Sequence, residues 1–275
     1  ASGVAFHLHS GIVAPYILNH GTEKQKRAWL PGMCSGTIIG AIAMTEPGAG
    51  SDLANIKTSA KRNKDTFVIN GQKTFISNGH ISDLIITACK TTPDIGAKGI
   101  SLLVVLRDDE GFSRGRNLEK IGWHAQDTSE LFYSDVEVNV DRIIGEENKG
   151  FAYLMQELAQ ERLIVAIRAA TTIEAALEET IKYTKGREAF GKPLFSFQNT
   201  RFKLAEAKTS ATVVRSFIDQ CTALHMTQSL DANDAAMAKL FATETMCKVL
   251  DDCLQMYGGY GYMWEYPIAR MWAGQ

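Results

Sequence analysis

The chain has 275 residues, of which 45% are hydrophobic and 22% charged, and its net charge is −2. This length is sufficient for two domains with their own hydrophobic cores, and the composition is typical of globular proteins. With 29 Lys and Arg against 31 Asp and Glu, nucleic acid or an anionic membrane is disfavoured as the main partner, because both require a clustered basic excess.

A membrane protein and a metalloprotein are also disfavoured by the sequence. No apolar run approaches the ~18 residues of a membrane span. The start of the chain lacks a basic segment followed by an apolar one, so we expect no signal peptide. His7 and His9 lie close together, but no third ligand is near in sequence, and we expect no metal site.

The cysteines predict a reducing compartment. They are odd in number and widely spaced, without a C-x-x-C pair, which favours buried free thiols over a disulfide or zinc framework. They are Cys34, Cys89, Cys221, Cys247 and Cys253.

Residues 1–36 are predicted to be helical. Residues 11–18 are mostly apolar, and Thr22 is a capping-type residue at the start of a second helix. From about Thr37 the pattern changes to strands. Residues 37–42 form a small and apolar run that is typical of a buried strand.

The loop at residues 43–52 follows that run. Pro47 fixes φ for a turn, while Gly48 and Gly50 permit conformations and close approaches that a Cβ would block. Successive backbone N–H groups in such a turn suit an anion, and Thr45 and Ser51 add hydroxyls. An ordinary Pro-Gly turn is the alternative interpretation of the same residues.

Further strands are predicted up to about Gly145. Residues 66–76 indicate a hairpin that turns at Asn70-Gly71. Residues 82–90 and 99–106 are predicted strands, the latter buried on both faces. Residues 131–138 alternate as in a sheet with one wet face.

Long helices are predicted after Gly150. Residues 151–185 contain no proline, and a helix of that length needs a bundle to bury it. Residues 196–229 and 231–257 predict two more helices, with Gly258-Gly259 as a stop. No repeat or low-complexity segment is visible.

The loop sequence from Ala43 to Asp52 resembles the signature of the acyl-CoA dehydrogenase family, FAD enzymes that desaturate acyl thioesters. Ten consecutive positions match, and Asn55 is a minor departure. The resemblance extends over the chain and is nearest the long-chain type. It implies an α+β fold: a remnant of an N-terminal helical domain (1–36), a β-rich middle domain (37–148) and an incomplete, antiparallel C-terminal helix bundle (149–275). On this resemblance the chain is expected to be truncated at both ends, and Gly274 stands where the family has an acidic residue.

Glu161 is the candidate catalytic base. It lies on an apolar stripe with Leu154, Leu158 and Val165, so we expect its carboxylate to be desolvated, which raises the pKa toward that of a base working near neutral pH. No Lys or Arg lies one helical turn away; Glu157, at i−4, carries a like charge. The alternative is a structural Glu paired with Arg162 or with a basic residue from another helix.

The resemblance favours the catalytic role. The segment around Glu161-Arg162 is similar to the one that holds the base in long-chain and isovaleryl members, whereas other members hold theirs further along the chain. As Glu161 removes the α-proton, a β-hydride would pass to flavin N5. The carbonyl would be held by the backbone N–H of the base residue and by a flavin hydroxyl.

The resemblance also implies the cofactor contacts. The ring of Phe75 would flank the flavin, and Arg187 would contact the FAD pyrophosphate of a neighbouring subunit. A plain strand and a solvated cation, respectively, are the alternatives for these two. The full implied set is Ile42, Met44, Thr45, Gly50, Ser51, Phe75, Ile76, Ser77, Arg187, Phe190, Gln198, Gln255, Gly258 and Gly259.

For acyl-CoA, the implied contacts are Ser51, Ala97, Lys98, Ala159, Gln160 and Arg162. Ala152 stands where the long-chain type has a substrate-contacting tyrosine. The resemblance further implies a homotetramer built from dimers, electron transfer to an electron-transferring flavoprotein, a role in fatty acid β-oxidation, and a bacterial cytoplasmic or mitochondrial matrix location. An acyl-CoA oxidase and a catalytically dead flavin-binding or interaction fragment are the alternatives.

Overall fold

A computed structural model describes residues 6–275, so residues 1–5 of the predicted N-terminal helical segment lie outside the described part. The chain divides into two units. The sheet unit comprises residues 6–120 and 124–157, and the helical unit comprises residues 121–123 and 158–275. The predicted domain boundaries at 36/37 and 148/149 stay predictions.

The sheet unit begins with helical segments, as predicted. A π-helical segment, His7–Val13, leads into α1, Ala14–His20, and α2 covers Glu23–Ser35. Thr22 caps α2 as expected: its hydroxyl accepts from the backbone N–H of Gln25, and the Gln25 side chain accepts from the backbone N–H of Thr22 at 2.8 Å. Such a box satisfies two amides that a helix start leaves unpaired.

Eight strands form one sheet in the order β6-β7-β3-β2-β4-β5-β8, and β1 pairs in parallel with β4. Their bounds are β1 Gly40–Ala43, β2 Ser59–Asn63, β3 Thr66–Ser77, β4 Leu84–Lys90, β5 Ile100–Leu106, β6 Phe112–Asn117, β7 Thr128–Asn139 and β8 Ile143–Ile144.

Both faces of the central strands are covered. Along β4, Leu84 and Ile86 join one apolar cluster with the N-terminal helices, while Ile85 and Cys89 join another with β3 and β7. Burial of β5 on both faces and the alternation of β7 are confirmed. This arrangement follows from side chains that alternate between the faces of each strand.

The predicted hairpin turn at Asn70-Gly71 is wrong. Residues 66–77 form the single strand β3, which pairs with β7 on both sides of a register shift between Ile69 and Gly71. Gly71 has φ 150°, and a Cβ there would lie 2.5 Å from the Thr58 hydroxyl, so the glycine serves a bulge. The hairpin turn lies earlier, at Lys64-Asp65 between β2 and β3.

In the helical unit the predicted long helices are confirmed. Their common feature is a buried stripe of small and aliphatic side chains, which share one core with Leu163, Ile173, Val214, Met246 and Leu250 among its members. The helices are α3 Gly150–Gly186, whose first eight residues belong to the sheet unit, α4 Gln198–Met226, α5 Ala232–Met256 and α6 Pro267–Ala273.

Short elements link these helices. A two-residue pair of strands, β9 Glu188–Ala189 and β10 Lys192–Pro193, connects α3 to α4. The α5 helix ends at Met256, and a 3₁₀ turn, Gly258–Tyr262, begins at the predicted glycine stop. No helix in residues 6–275 has the length and apolar character needed to cross a bilayer.

Candidate functional site

The predicted flavin loop, residues 43–52, leaves β1 at the point where the strand stops pairing with β4. Glu46 and Ala49 exchange backbone hydrogen bonds of 3.0 and 3.1 Å around a turn at Pro47-Gly48. Gly48, Gly50 and Ser51 are exposed, and a Cβ at either glycine would meet nothing within 4 Å. The loop therefore presents an open backbone surface, as an anion-binding turn requires.

Strand β3 carries the second predicted flavin element next to this loop. The backbone N–H of Thr74 donates to the carbonyl of Thr45 at 2.9 Å. Phe75, the next residue, is 67% exposed and has φ 59°, whereas Ile76 is buried. A large exposed aromatic in the left-handed region costs folding free energy, so surrounding structure must hold it there. The structure thus brings Met44 and Thr45 together with the Phe75-Ile76-Ser77 element.

Sequence reasoning missed the ion pair beneath the loop. Lys73 Nζ donates to Glu46 Oε1 and to the backbone carbonyl of Met44, both at 2.9 Å. Glu46 also accepts from the backbone N–H groups of Lys57 and Thr58 at 2.6 and 2.9 Å. The available signal was the alternation of one continuous strand. Lys73 is an even number of residues from the buried Phe67 and Ile69 and therefore lies on their face of β3.

This pair changes the ionisation of its members. Burial alone would raise the pKa of the Glu46 carboxyl, but Lys73 and the hydrogen bonds outweigh burial and hold that pKa below its usual value. Burial lowers the pKa of the Lys73 ammonium, against the opposing effects of Cys89 and Glu46. Burial raises the pKa of the Cys89 thiol to about 12, so this cysteine is protonated at neutral pH.

Some buried polar atoms near the Phe75 element lack a hydrogen-bond partner among the described residues. They are Asn78 Oδ1, Gln126 Oε1 and Ser129 Oγ, and Ser129 pairs with Ile76 in the sheet. Buried polar groups are nearly always satisfied in folded proteins, so these three atoms are exceptions.

The predicted substrate residues of the sheet unit lie on neighbouring elements. The 3₁₀ turn Leu53–Asn55, just after Ser51, contacts the 3₁₀ turn Gly96–Gly99, which contains Ala97 and Lys98. Ser51 and Lys98 are both exposed. Their hydroxyl and ammonium groups are suited to a polar, anionic ligand.

The helical unit brings four other predicted cofactor residues into one open pocket of about 530 Å³. Arg187, Gln255, Gly258 and Gly259 line it. A Cβ at either glycine would meet nothing within 4 Å, and Gly258 has φ 57°. These positions therefore leave room for a ligand beside the backbone.

Aromatic rings form part of the same pocket. Tyr183 and Tyr257 stack with ring centroids 3.9 Å apart, and the Arg187 guanidinium lies 5.6 Å from the Tyr260 ring centroid. Burial raises the pKa of the Tyr257 phenol to about 12. Flat rings and a guanidinium together suit a planar, phosphorylated ligand.

Two further predicted residues of the helical unit are outside that lining. Phe190 is 95% exposed at φ 53°, in the turn between β9 and β10, and its ring lies 6.2 Å from that of Phe197. Gln198 begins α4 and is also exposed.

Glu161 departs from its predicted environment. It lies within α3 and is partly buried. It takes part in a polar or electrostatic interaction, so the expectation of an unpaired carboxylate is wrong. Of the predicted stripe, Leu154 is buried, and Leu158 and Val165 are partly buried. The three predicted substrate residues on the same turns, Ala159, Gln160 and Arg162, are likewise half-buried.

The backbone of Glu161 corrects a second expectation. Residue 161 is well inside the continuous helix α3, where each N–H donates to the carbonyl four residues earlier. Its N–H is thus used by the helix, and the predicted hydrogen bond from this group to a substrate carbonyl is not retained.

The buried carboxylate of this helix is instead Glu157. Its Oε1 accepts from Asn19 at 2.9 Å and lies 2.8 Å from His20 Nε2. The His20 ring stacks on Tyr153 with centroids 4.3 Å apart. The cluster fixes the start of α3 to α1, because a buried carboxylate needs such partners.

The structure describes His9 and the five cysteines. His9 bonds to the Met33 carbonyl at 3.0 Å and accepts from the Gly40 N–H at 2.9 Å, which is a structural role. Within residues 6–275, no three His, Cys, Asp or Glu side chains form a metal-binding group. All five cysteines are free, but Cys34 and Cys247 are exposed, so the prediction of burial is wrong for these two.

The order of helical segment, β-sheet unit and long helices is the acyl-CoA dehydrogenase fold. Family models match three stretches: the acyl-CoA dehydrogenase N-terminal domain at residues 1–37, the middle domain at 41–136 and the C-terminal domain at 148–274. The chain belongs to the acyl-CoA dehydrogenase family.

Individual relatives agree with that assignment. The chain is 51% identical to the mitochondrial long-chain specific acyl-CoA dehydrogenase of Mus musculus, over 98% of this chain and 63% of the mouse protein. It is 37% identical to an acyl-CoA dehydrogenase of Bacillus subtilis, over 98% and 72%. The chain therefore spans somewhat under two thirds of the length of its long-chain relatives.

Solved structures are similar throughout. The acyl-CoA dehydrogenase of Geobacillus kaustophilus superposes with a TM-score of 0.97 at 51% identity, covering 99% of this chain and 72% of that one. The butyryl-CoA dehydrogenase of Megasphaera elsdenii gives 0.95 at 36% identity, covering 98% and 71%.

Proposed function

We propose that the protein oxidises an acyl-CoA thioester to the trans-2-enoyl-CoA, with FAD as cofactor. The observation that carries the proposal is the arrangement in the sheet unit. Thr45 of the open Gly-rich loop accepts a backbone hydrogen bond from Thr74 of β3. The residue after Thr74 is Phe75, which is exposed and has a left-handed backbone conformation. Phe75 lies in a register shift of β3 against β7, between Lys73 and Ile76, which accounts for its backbone conformation. The shift does not require a large apolar ring to be exposed beside open backbone, whereas a flavin-binding site does.

The residues present fit FAD at two places. Met44, Thr45, Gly50, Ser51 and the Phe75-Ile76-Ser77 element offer an aromatic face, hydroxyls and free backbone for the flavin half. Arg187, Gln255, Gly258 and Gly259 offer a guanidinium and an uncrowded pocket for the adenosine and pyrophosphate half. Ile42, Phe190 and Gln198 complete the proposed set.

Glu161 is the proposed base. An α C–H beside a thioester carbonyl is a weak acid, and a positioned carboxylate that takes its proton as the β-hydride departs contributes a large share of the rate. Bound FAD supplies the hydride acceptor and a hydroxyl for the carbonyl. Ala159, Gln160 and Arg162 on α3, and Ser51, Ala97 and Lys98 in the sheet unit, are the proposed acyl-CoA contacts.

The partners and location follow from the family. We propose an electron-transferring flavoprotein as the electron acceptor and fatty acid β-oxidation as the process. The proposed assembly is a homotetramer built from two dimers. The relatives include mitochondrial and bacterial proteins, which supports a mitochondrial matrix or bacterial cytoplasmic location. The 51% identity to long-chain enzymes favours a long acyl chain as substrate.

The test is anaerobic bleaching of the flavin band on mixing purified protein with acyl-CoAs of graded length. We expect Glu161→Gln to slow bleaching about 10²–10⁴-fold, because it removes the general base, while FAD content stays at the wild-type level. Glu178→Gln, an exposed carboxylate on the same helix, is the control and should bleach normally.

Two other outcomes assign different functions. Hydrogen peroxide formed from acyl-CoA without an added electron acceptor would make the protein an oxidase. Protein that holds FAD yet is bleached by no acyl-CoA would be a flavin-binding module without this activity. Bleaching that survives Glu161→Gln at full rate would move the base to another residue.

A further inference from the structure

The Lys73 ammonium binds two groups of the proposed flavin loop, the backbone carbonyl of Met44 and the carboxylate of Glu46. The Lys73 side chain is fully buried and that of Glu46 is 6% exposed. One lysine therefore holds the carbonyl of Met44 and the carboxylate two residues later, with both hydrogen bonds at 2.9 Å.

The neighbouring bonds extend this attachment. The Thr74 N–H holds the Thr45 carbonyl, so loop residues 44, 45 and 46 are each fastened to residues 73 and 74 of β3. Glu46 is fastened in addition to the N–H groups of Lys57 and Thr58, just before β2. Phe75 follows directly and has a left-handed backbone.

Stability alone does not account for a buried charge pair. Removing two charges from water is costly, and replacing such a pair by neutral side chains of similar size is often neutral or stabilising. An apolar pair would not, however, supply a directed hydrogen bond to the Met44 carbonyl. The charged pair thus fixes the position of the Met44 carbonyl relative to β3, and with it the position of the loop relative to Phe75.

We propose that Lys73 and Glu46 are positioning residues, which hold the Met44–Thr45 backbone in a fixed place relative to Phe75, so that both would contact one bound flavin. This proposal rests on the proposed FAD binding. Neither residue needs to touch the cofactor, since both act through the loop backbone.

The experiment compares the unmodified protein with three variants. Lys73→Met with Glu46→Gln removes both charges and the bond to Met44, while Gln keeps an acceptor for the Thr58 N–H. Glu46→Gln alone leaves Lys73 and its bond to Met44. Arg142→Met breaks another ion pair of the sheet unit, with Asp109, and is the matched control.

Three quantities are measured for each protein: urea-unfolding stability, hydrogen exchange of the Glu46, Ala49 and Thr74 amides without FAD, and the FAD dissociation constant from flavin fluorescence. We expect the double variant to stay folded, while exchange at these amides and the FAD dissociation constant each rise about tenfold or more, as for loss of a hydrogen bond to a charged group. Glu46→Gln should give a smaller rise, and Arg142→Met none at these amides.

Wild-type exchange and wild-type FAD affinity in the folded double variant would overturn the proposal. Equal loosening of the loop in Arg142→Met would do so too, because the effect would then reflect general destabilisation. If the double variant does not fold, unchanged exchange in Glu46→Gln overturns the proposal and a local rise supports it. Wild-type protein that binds no FAD would refute the proposed function, while the exchange data still decide whether the pair positions the loop.

Discussion

The two regions proposed for FAD are built in different ways. In the sheet unit, loop residues 44–46 are held by a buried ion pair and by backbone bonds to β3. In the helical unit, Arg187, Gln255, Gly258 and Gly259 are all exposed around an open pocket, and stacked tyrosines pack beside them. One region is supported by buried charges, whereas the other offers exposed groups.

The difference predicts how mutations act. In the sheet unit, changes at supporting residues should affect folding and ligand geometry together, because the supports are buried. In the helical unit, changes at exposed contacts should alter affinity and leave stability intact, since surface substitutions usually change stability by less than about 0.5 kcal/mol. Three measurements test this contrast.

The largest effect is expected for Arg187→Gln. Loss of a charge-assisted bond to phosphate should raise the FAD dissociation constant about ten- to a hundredfold, with an unchanged urea midpoint. Flavin fluorescence titration and urea unfolding measure the two quantities. Arg201→Gln, an exposed arginine on α4, is the control. A lowered urea midpoint for Arg187→Gln would contradict the contrast between the regions.

An intermediate effect is expected for Tyr257→Phe at alkaline pH. Burial raises the pKa of this phenol to about 12, above the value near 10 of an unfolded tyrosine. The unfolded state therefore loses its proton first, and the stability that this phenol contributes is complete below pH 10 and declines as pH rises toward 12. The decline is about 1.4 kcal/mol per pH unit for one proton.

Urea unfolding at several pH values between 9 and 11.5 measures this slope. Tyr257→Phe should be flatter than wild type above pH 10 and similar to it at pH 8. Tyr262→Phe, at an exposed tyrosine, should keep the wild-type slope. Equal slopes for wild type and Tyr257→Phe would show that the phenol behind the pocket is not held apart from solvent.

The smallest effect concerns Phe75. Glycine accepts φ 59° without strain, so Phe75→Gly should raise the stability of FAD-free protein by about 0.5–1 kcal/mol, while FAD affinity falls. Phe202→Gly removes an exposed phenylalanine from the interior of α4 and should lower stability instead. A loss of stability in Phe75→Gly would mean that the ring packs as structure and is not strained for a ligand.

Much of the fold is predictable from local pattern. The alternation of residues 131–138 and the long apolar periodicity after Gly150 gave β7 and α3 because each depends on side chains that are neighbours in sequence. Thr22 and Asp231 are helix caps for the same local reason.

The errors arise where a distant segment decides the outcome. Asn70-Gly71 has the sequence of a turn, but pairing with β7 and the approach of Thr58 make it a bulge. Once residues 66–77 are one strand, Lys73 lies on the same face as the buried Phe67 and Ile69, whereas the predicted turn at Asn70-Gly71 had separated it from them. Glu161 shows the same limit: heptad spacing locates it on a stripe, but the packing of the whole helix determines that Glu157 is the buried carboxylate.

The distribution of thiols has a practical consequence. Cys34 is accessible in the sheet unit and Cys247 in the helical unit, while Cys89, Cys221 and Cys253 are inside. Maleimide dyes should therefore react at two sites in native protein, one in each unit. With a donor dye on one of these cysteines and an acceptor dye on the other, the efficiency of fluorescence energy transfer would depend on the distance between them. A change in that efficiency on adding nucleotide or thioester would report a rearrangement of the units.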